Sequence, residues 1–240
     1  MNTEKREQKS ALYALFAHVG KALANPHRLE LLDLLVQAPR TVEELAREGG
    51  MSVANTSQHL QRLKQARLVT SEREGRYVRY AIADAAVARL WLKLRAVAER
   101  QLAEVESALD AYRDRRHEFE QVTAEELRRR LDADDVILLD VRPAAEHAAG
   151  HLPHARSIPW DEIEERLTEL PDDTTVVAYC RGPYCVYADT ALGILADRGW
   201  KVARLEEGVA EWQQVGYSIE KGPVTSTTIP GGDLDEKNDQ

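Results

Sequence analysis

The spacing of apolar residues changes near one charged run, residues 113–118, and this change constrains the fold of the 240-residue chain most. Before the run, apolar residues recur every three or four positions, as in helices packed on a core. After it, short apolar runs alternate with helical segments, which is typical of an α/β domain with a mostly parallel sheet. The pattern predicts a mainly helical domain (1–115), a linker (116–121), an α/β domain (122–220) and a polar tail (221–240), disordered at its end.

The charges of the chain divide at the same place. Residues 1–115 hold 19 Lys and Arg against 15 Asp and Glu, a net charge of +4, whereas the remainder holds 13 against 26, a net charge of −13. A mildly basic half can face nucleic acid, which would repel the acidic half. No apolar run approaches the length of a membrane span, and no signal-peptide core follows the charged N-terminus. We therefore predict a cytoplasmic protein with no membrane partner.

Residues 41–65 carry the pattern of two helices joined by a tight glycine turn. Thr41 and Glu44 can form a capping box for the first helix, residues 42–48. The second helix follows Ser52, and we assign four residues to its buried face: Val53, Thr56, Leu60 and Leu63. Its other face offers hydrogen-bonding groups to the major groove of DNA. The predicted DNA-contacting residues of this helix are Ser52, Asn55, Ser57, Gln58, His59 and Arg62.

A hairpin is predicted next, from strands at 68–71 and 77–82. It carries Arg73, Arg76 and Arg79, as a wing that contacts phosphates or the minor groove requires. From 84 to about 115 the apolar residues return to helical spacing, which predicts one long helix. Its apolar stripe either packs on its own domain or forms a dimer. We favour a homodimer, because a palindromic operator needs two copies of the DNA-reading helix.

The segments ALANPHRLELLDLL and TVEELAREGGMSVANTSQHLQRLKQARLVTSEREGRYVRYAIAD resemble the winged-helix repressors of the ArsR/SmtB family. The resemblance implies a winged helix-turn-helix fold and a homodimer that binds double-stranded operator DNA and releases it when an inducer binds. Metal-sensing members carry cysteines in or beside the first helix of the motif, where this chain has none. We therefore expect no metal and no cofactor, although His117, Glu118 and Glu120 leave zinc binding across a dimer open.

Both cysteines of the chain lie in one short stretch, with Cys180 and Cys185 between an apolar run (175–179) and a helical pattern (186–197). A strand that ends in a loop before a helix N-terminus directs N–H groups and partial positive charge into the loop, which favours a thiolate. Cys180 is therefore a candidate nucleophile or sensor, and the Arg181-Gly182-Pro183 turn should bring it to the surface. The alternative for Cys180 is a buried cysteine that acts as a small hydrophobe.

The role of Cys185 is open between a resolving thiol for Cys180 and the first packed residue of the following helix. The segments on either side of the loop resemble the rhodanese fold of sulfurtransferases. The residues that carry this likeness are Asp140, Arg142, Glu146, Gly150, His151, Ile158, Pro159, Gly208, Trp212, Gly216 and Tyr217. The resemblance implies that Cys180 takes a sulfane sulfur, holds it as a persulfide and passes it to an acceptor. The remaining residues of the implied active-site loop are Arg181, Gly182, Pro183, Tyr184 and Val186.

Three positions depart from the sulfurtransferase pattern. Pro183 removes one N–H group from the loop, Cys185 replaces a residue that is often cationic or hydroxylic, and His154 stands where glycine is usual. These departures favour a sensor. We predict a repressor whose operator affinity is controlled by persulfide or redox chemistry at Cys180, with a sulfane-sulfur donor or thiol as its small-molecule partner. The alternatives are a sulfurtransferase or an arsenate reductase-like thiol enzyme tethered to a DNA-binding domain, and an inert partner-binding module.

Overall fold

The structure is a computed structural model that describes residues 3–113, 116–171 and 173–222. The tail predicted to be disordered at its end therefore lies outside the described residues, apart from 221 and 222. The helices of the first half are α1 (Thr3–Leu23), α2 (Pro26–Gln37), α3 (Val42–Glu48), α4 (Val53–Gln65), α5 (Ala85–Gln101) and α6 (Ala103–Tyr112). Its strands are β1 (Arg40–Thr41), β2 (Val69–Glu74) and β3 (Tyr77–Ile82).

The predicted helix-turn-helix is confirmed in α3 and α4. The Thr41 hydroxyl accepts a hydrogen bond from the Glu44 amide at 3.2 Å, and the Glu44 carboxylate accepts one from the Thr41 amide at 2.7 Å, which completes the capping box. The turn between the helices contains Gly50 at a φ of +62°, a left-handed conformation that suits glycine. The Ser52 side chain caps α4 by accepting from the Asn55 amide.

The predicted hairpin is also present, and its first strand extends to Glu74. The strands form an antiparallel sheet in the order β1-β3-β2, and Gly75 makes the turn at a φ of +61°. One apolar core joins this sheet to the helices. Its most deeply buried members include Leu31, Leu32, Leu35, Leu45, Leu60, Leu63 and Tyr80.

The prediction of a single long helix from 84 to about 115 is wrong, because two helices, α5 and α6, occupy this segment. Leu102 adopts an extended conformation (φ −115°, ψ 99°) that ends α5 and begins α6. Its amide still bonds to the Ala98 carbonyl, so α5 closes normally before the chain changes direction. The break allows Arg113, which follows α6, to reach the second half of the molecule.

The second half is an α/β domain, as predicted. Its helices are α7 (Ala124–Asp132), α8 (Ala144–Ala149), α9 (Tyr187–Asp197) and α10 (Val209–Gln214). Its strands are β4 (Glu120–Val122), β5 (Val136–Asp140), β6 (Arg156–Ser157), β7 (Thr175–Tyr179) and β8 (Val202–Leu205). They form a parallel sheet in the order β4-β8-β7-β5-β6. The helix predicted at 161–170 is replaced by two 3-10 segments, Trp160–Glu165 and Leu167–Glu169.

The interval predicted as a linker, residues 116–121, carries regular structure instead. A 3-10 turn spans Arg116–Glu118, and β4 starts at Glu120 and pairs in parallel with β8. Phe119, between them, is 6% exposed and joins the core of the second half. Burial of this aromatic side chain and the strand pairing explain why the segment belongs to the α/β domain.

The two halves pack against each other. Helix α10 lies against α2 and α5. Nearly buried ion pairs cross the boundary, from Arg40 to Glu146 and from Arg95 to Glu211. The end of the second domain that carries its cysteines therefore faces the helix-turn-helix domain.

Candidate functional site

The cysteine loop, residues 180–186, leaves the carboxyl end of β7 and leads into α9. Its two cysteines are joined in a disulfide with Cα atoms 6.1 Å apart. Cys180 is 1% exposed and belongs to the apolar cluster that contains Val176 and Leu192, whereas Cys185 is half-buried. The predicted surface position of Cys180 is therefore wrong, because the loop folds over it and packs on the core. The predicted turn is present, with Gly182 at a φ of +110°.

Arginine side chains bind the backbone carbonyls of the cysteine loop. Arg113 Nη2 donates to the Pro183 carbonyl at 2.7 Å, and Arg116 Nη2 donates to the Cys185 carbonyl at 2.8 Å. Arg204 Nη2 donates to the Gly182 carbonyl at 3.3 Å. In the disulfide form, three carbonyl groups of the loop therefore point outward and accept hydrogen bonds from arginine side chains.

These arginines surround one acid, Asp189. Arg116 and Arg204 bond to the Asp189 carboxylate at 2.6 and 2.7 Å, and all three side chains are nearly buried. Burial and the neighbouring Arg116 lower the pKa of Arg204 to about 10. No sequence motif predicts this cluster, because its members lie in separate segments: the end of α6, the 3-10 turn at Arg116, α9 and β8. The only signal in the sequence is the charged run that contains Arg113 and Arg116.

The cysteine loop also contacts the helix-turn-helix domain directly. Arg181 Nη2 lies 2.6 Å from Glu146 of its own domain and 3.0 Å from Glu48 at the end of α3. The Tyr184 hydroxyl donates to the Glu99 carboxylate on α5 at 2.6 Å. Burial and this bond to Glu99 raise the pKa of Tyr184. Gln37 Nε2, at the end of α2, donates to the Arg181 carbonyl at 3.5 Å.

Polar residues at the end of β5, on α8 and on β7 form a buried network centred on Asp140. Its carboxylate bonds to Arg142 Nη2 and to the Tyr179 hydroxyl, both at 2.6 Å, and to His147 Nδ1 at 3.1 Å. Burial opposes the charged form, but Arg142 and these hydrogen bonds outweigh it and lower the pKa of Asp140 to about 2. The arrangement supports a positioning role for these residues. His154, at the usual glycine position, has a φ of +64°.

The residues predicted to contact DNA on α4 divide into three groups. Ser52, Gln58 and Arg62 are exposed, and Asn55 and Ser57 are half-buried. His59 is only 9% exposed and lies 5.4 Å from the His27 ring, so the prediction that it faces DNA is corrected.

His59 is buried because α4 packs on α2. Burial and the charge of His27 lower the pKa of His59. Val53, assigned to the buried face, is 48% exposed because it is the first residue of α4 and lies beyond the core.

The three wing arginines differ in their partners. Arg73 and Arg76 are exposed, with Arg76 stacked on the Tyr77 ring. Arg79 is half-buried, donates to Glu74 at 2.9 Å and to the Pro39 carbonyl at 3.1 Å, and lies 3.7 Å from Glu44. The hydrogen bond with Glu74 raises the pKa of Arg79. Arg73 and Arg76 are thus better placed than Arg79 to meet a phosphate.

Helix α5 presents two faces. Trp91, Arg95 and Glu99 face the rest of the molecule, through bonds to Asp33, Glu211 and Tyr184 respectively. An exposed apolar stripe lies on another face and consists of Leu90, Leu94 and Val97. Helix α1 adds four further exposed apolar side chains: Leu12, Tyr13, Leu15 and Phe16.

Within the described residues, no group of three or more His, Cys, Asp or Glu side chains is arranged to hold a metal ion. A search of the same residues finds no helix with the length and apolar character needed to cross a bilayer.

Comparisons with known proteins match both halves of the chain. The family model of the bacterial regulatory proteins of the arsR family matches residues 25–71, and the rhodanese-like domain model matches residues 123–215. The HTH-type transcriptional regulator Rv0324 of Mycobacterium tuberculosis is 44% identical over 216 residues, which cover 90% of this chain and 95% of that protein. A sulfurtransferase of Allochromatium vinosum is 37% identical over 101 residues, which cover 41% of this chain and 92% of that protein.

A solved structure is also similar to the first half. It is the homodimeric winged helix-turn-helix DNA-binding domain (fragment 1–100) of Mb0332 from Mycobacterium bovis, 46% identical, with a TM-score of 0.38 over 40% of this chain and 89% of that fragment. The family assignment rests on the two domain models and on the similarity to Rv0324 along nearly the whole chain. This chain therefore belongs to the ArsR family of transcriptional regulators, in a form that carries a rhodanese-like domain after its winged helix-turn-helix domain.

Proposed function

We propose that this protein is a cytoplasmic transcriptional repressor whose affinity for operator DNA is controlled by the sulfur and redox state of Cys180 and Cys185. One observation carries the proposal: the loop that holds both cysteines contacts the DNA-binding half through Arg181 and Tyr184. A chemical change in this loop can therefore bias the DNA-binding domain without a separate messenger.

The two cysteines suit a two-step reaction with a persulfide. The reduced Cys180 thiolate attacks the terminal sulfur of a donor RSSH, which releases RSH and leaves Cys180–SSH. The Cys185 thiolate then attacks Sγ of Cys180, and hydrogen sulfide leaves as the disulfide forms. The donor supplies the oxidising equivalent, so no other oxidant is needed. The distance of 6.1 Å between the Cα atoms suits this resolving role for Cys185.

Two sets of contacts support coupling between the loop and DNA binding. Arg181 reaches Glu48 on α3, the first helix of the DNA-binding motif, and Tyr184 reaches Glu99 on α5. Arg113, which follows α6, and Arg116, in the 3-10 turn at the start of the α/β domain, bind loop carbonyls. A loop that changes shape between its dithiol, persulfide and disulfide forms must break or move some of these bonds.

The test compares operator binding by the reduced protein before and after treatment with polysulfide, with intact mass recorded on the same samples. We expect sulfur addition or disulfide formation to lower DNA affinity about tenfold or more, a coupling of roughly 1.4 kcal/mol. Cys180→Ser should keep full affinity under the same treatment, and Cys185→Ser should stop at the persulfide. Sulfur loading without any change in DNA affinity would contradict the proposal.

We also infer that the repressor is a homodimer. The exposed apolar residues of α1 and α5 form surfaces that no other part of the described chain covers, and apolar faces of this kind commonly mark interfaces. The Mycobacterium bovis fragment, 46% identical over 40% of this chain, is described as homodimeric. Two copies would place two α4 helices for the half-sites of a palindromic operator.

A second candidate function is sulfur transfer with turnover, which the similarity to the Allochromatium vinosum sulfurtransferase favours. The burial of Cys180 argues against rapid exchange with donors in this form. Steady-state transfer from thiosulfate to cyanide distinguishes the two functions, because an enzyme completes many cycles for each Cys180 whereas a sensor reacts once.

A further inference from the structure

A cavity of 540 Å³ lies between the two halves, beside the cysteine loop. Helices α2, α3, α5 and α6 supply its wall on one side, and residues of the cysteine loop and the start of α9 supply the other. Its volume falls within the range of small-molecule sites, which commonly form at domain interfaces. Neither the persulfide reaction at Cys180 nor the DNA-contacting residues use this space.

The cavity gives access to only one of the two sulfur-bearing residues. Cys185 lines it, whereas Cys180 is 1% exposed and is not part of the described lining. A small molecule held in the cavity therefore meets the disulfide at Cys185. Thiol–disulfide exchange depends on which sulfur an incoming thiolate can reach, so the position of the cavity selects the site of attack.

The charges that line the cavity favour a cation. Asp33 and Glu30 both line it, and neither forms an ion pair with any residue that the structure describes. Arg181 also lines the cavity, but its guanidinium is bound by Glu48 and Glu146. Two carboxylates without ionic partners thus outweigh the cation that is already paired.

Asp33 is the more enclosed of these two acids. Its carboxylate accepts a hydrogen bond from Trp91 Nε1 at 2.7 Å. Burial raises the pKa of Asp33 even though the hydrogen bond from Trp91 and the charges of Arg95 and Arg181 act in the opposite direction, so the cost of burying its charge is only partly compensated. An ammonium group beside Asp33 would add to this compensation, and the aromatic side chain of Trp91 lines the same cavity.

We propose that this cavity binds a small thiol that carries an ammonium group, with the ammonium beside Asp33 and the sulfur at Cys185. The inference deepens the proposed function and rests on it, since it names the class of thiol that reduces the disulfide of the cysteine pair.

The reaction with an aminothiol proceeds in balanced steps. The incoming thiol loses its proton to solvent, and its thiolate attacks Sγ of Cys185. A new S–S bond forms to Cys185 as the Cys180–Cys185 bond breaks, and the electron pair leaves on Sγ of Cys180. A second thiolate attacks the sulfur of the bound aminothiol, which departs as a symmetrical disulfide and leaves Cys185 reduced.

The test measures how fast the oxidised full-length protein reacts with cysteamine and with 2-mercaptoethanol, by acid quenching and intact mass. The two rate constants are compared in the wild type, in Asp33→Asn and in Glu43→Gln. Asparagine keeps an acceptor for Trp91 while removing the charge. Glu43 is exposed on the same domain and does not line the cavity, so its variant controls for net charge.

We expect the ratio of the cysteamine rate to the 2-mercaptoethanol rate to fall about tenfold in Asp33→Asn and to stay unchanged in Glu43→Gln. The intrinsic reactivity of each thiol cancels, because the same pair of thiols is used with every protein. Peptide mapping of the quenched mixture should place the mixed disulfide on Cys185. As a measurement on the wild type alone, ethylammonium should slow cysteamine but not 3-mercaptopropionate.

The proposal is overturned by an equal rate ratio in the wild type and Asp33→Asn, by a mixed disulfide on Cys180, or by no effect of ethylammonium. These reactions are measured without DNA. If the reaction at Cys185 is selective but operator affinity does not respond, the ligand site stands and the sensor function is excluded. If operator affinity responds but the reaction at Cys185 is not selective, only the ligand site is excluded.

Discussion

Arg76 and Arg79 lie three positions apart on the wing, yet their guanidinium groups have different surroundings. The Arg76 side chain is exposed against the Tyr77 ring, whereas Arg79 is held by Glu74, Glu44 and the Pro39 carbonyl. A cation that is already bonded to acids of its own chain contributes less to a phosphate contact, because it must give up those bonds or share them.

We therefore expect Arg76→Gln to weaken operator binding more than Arg79→Gln. Each lost phosphate contact should reduce the slope of log affinity against log salt by about 0.9, so a dimer that loses two contacts changes by roughly 2. Fluorescence anisotropy over a series of salt concentrations measures this slope. Arg198→Gln, an exposed site in the second domain, controls for net charge, and an equal effect of both wing variants would contradict the assignment.

Tyr179 and Asp140 provide a test of the buried network. The Tyr179 hydroxyl donates to Asp140 at 2.6 Å and accepts from the Leu152 amide at 3.1 Å. Tyr179→Phe leaves both partners short of one bond, and we expect a loss of about 1 to 3 kcal/mol in the free energy of unfolding. Urea unfolding followed by tryptophan fluorescence reports mainly this domain, which holds three of the four tryptophans: Trp160, Trp200 and Trp212.

The same network predicts how the free energy of unfolding depends on pH. Folding lowers the pKa of Asp140 from its ordinary value near 4 to about 2. The ionised carboxylate therefore makes its full contribution to the stability of the folded state above about pH 4. That contribution, roughly 2 kcal/mol, is lost as the pH falls from about 4 toward 2. Asp140→Asn should be less stable at neutral pH and should lack this loss. An equal decline in both proteins would contradict it.

The sequence predicted which polar residues form the buried network and the DNA-binding helix, but it did not predict how deeply those residues are buried. The rhodanese-like pattern identified Asp140, Arg142 and Cys180, but His59 and Cys180 were expected at the surface. His59 is buried by α2, which is distant in the chain, and Cys180 is buried because its own loop folds over it and packs on the core. Local spacing reports neither kind of contact.

Among the elements, α5 joins two different surfaces. Its docked face holds Trp91, Arg95 and Glu99, which bond to groups in α2, α10 and the cysteine loop. Its exposed stripe holds Leu90, Leu94 and Val97. The separation of these faces around one helix means that the proposed dimer contact and the contact with the rhodanese-like domain can exist together.

Leu94→Glu should therefore disrupt the dimer without disturbing the docked face. A charge buried in an apolar interface costs several kcal/mol, so we expect the mass from light scattering to fall to that of one chain. Operator affinity should fall at least tenfold, since one half-site is lost. Lys93→Glu changes an exposed neighbour outside the stripe and should remain dimeric. A dimeric Leu94→Glu would place the interface elsewhere.

Element boundaries were predictable where a residue type marks them. The Thr41 and Glu44 capping box, Pro26 at the first turn of α2 and the glycine turns all matched the sequence. The break at Leu102 was missed because no glycine or proline stands there, and the β4 strand was missed because its three residues gain order from pairing with β8. Pairings of this kind depend on tertiary structure.

At the scale of the whole molecule, the docking of the two domains was beyond prediction from the sequence. Arg181 and Glu48, or Tyr184 and Glu99, are far apart in the chain, and nothing in their local patterns pairs them. The sequence left unknown how a signal would cross between the domains. The bonds from the cysteine loop to α3 and α5 suggest a direct route.

Tyr184→Phe tests that route. It removes the bond to Glu99 and keeps the aromatic ring, so polysulfide should still load the cysteines at the wild-type rate. We expect the change in operator affinity on loading to shrink from about tenfold to about threefold or less, because coupling through one hydrogen bond to a charged group is of this order. Tyr217→Phe, which alters the ring packed on Trp212, is the matched control. A full response in Tyr184→Phe would exclude this contact as a coupling element.

The shared use of α5 has a consequence for how steeply a cell would respond to sulfur. In a dimer built on the exposed stripe, each α5 contacts its own cysteine loop on one face and the other α5 on another. The first loop to react would alter the helix that the second loop also senses through the interface. Repression should then end over a narrow range of sulfur concentration, with a Hill coefficient above one and bounded by the two sites of the dimer.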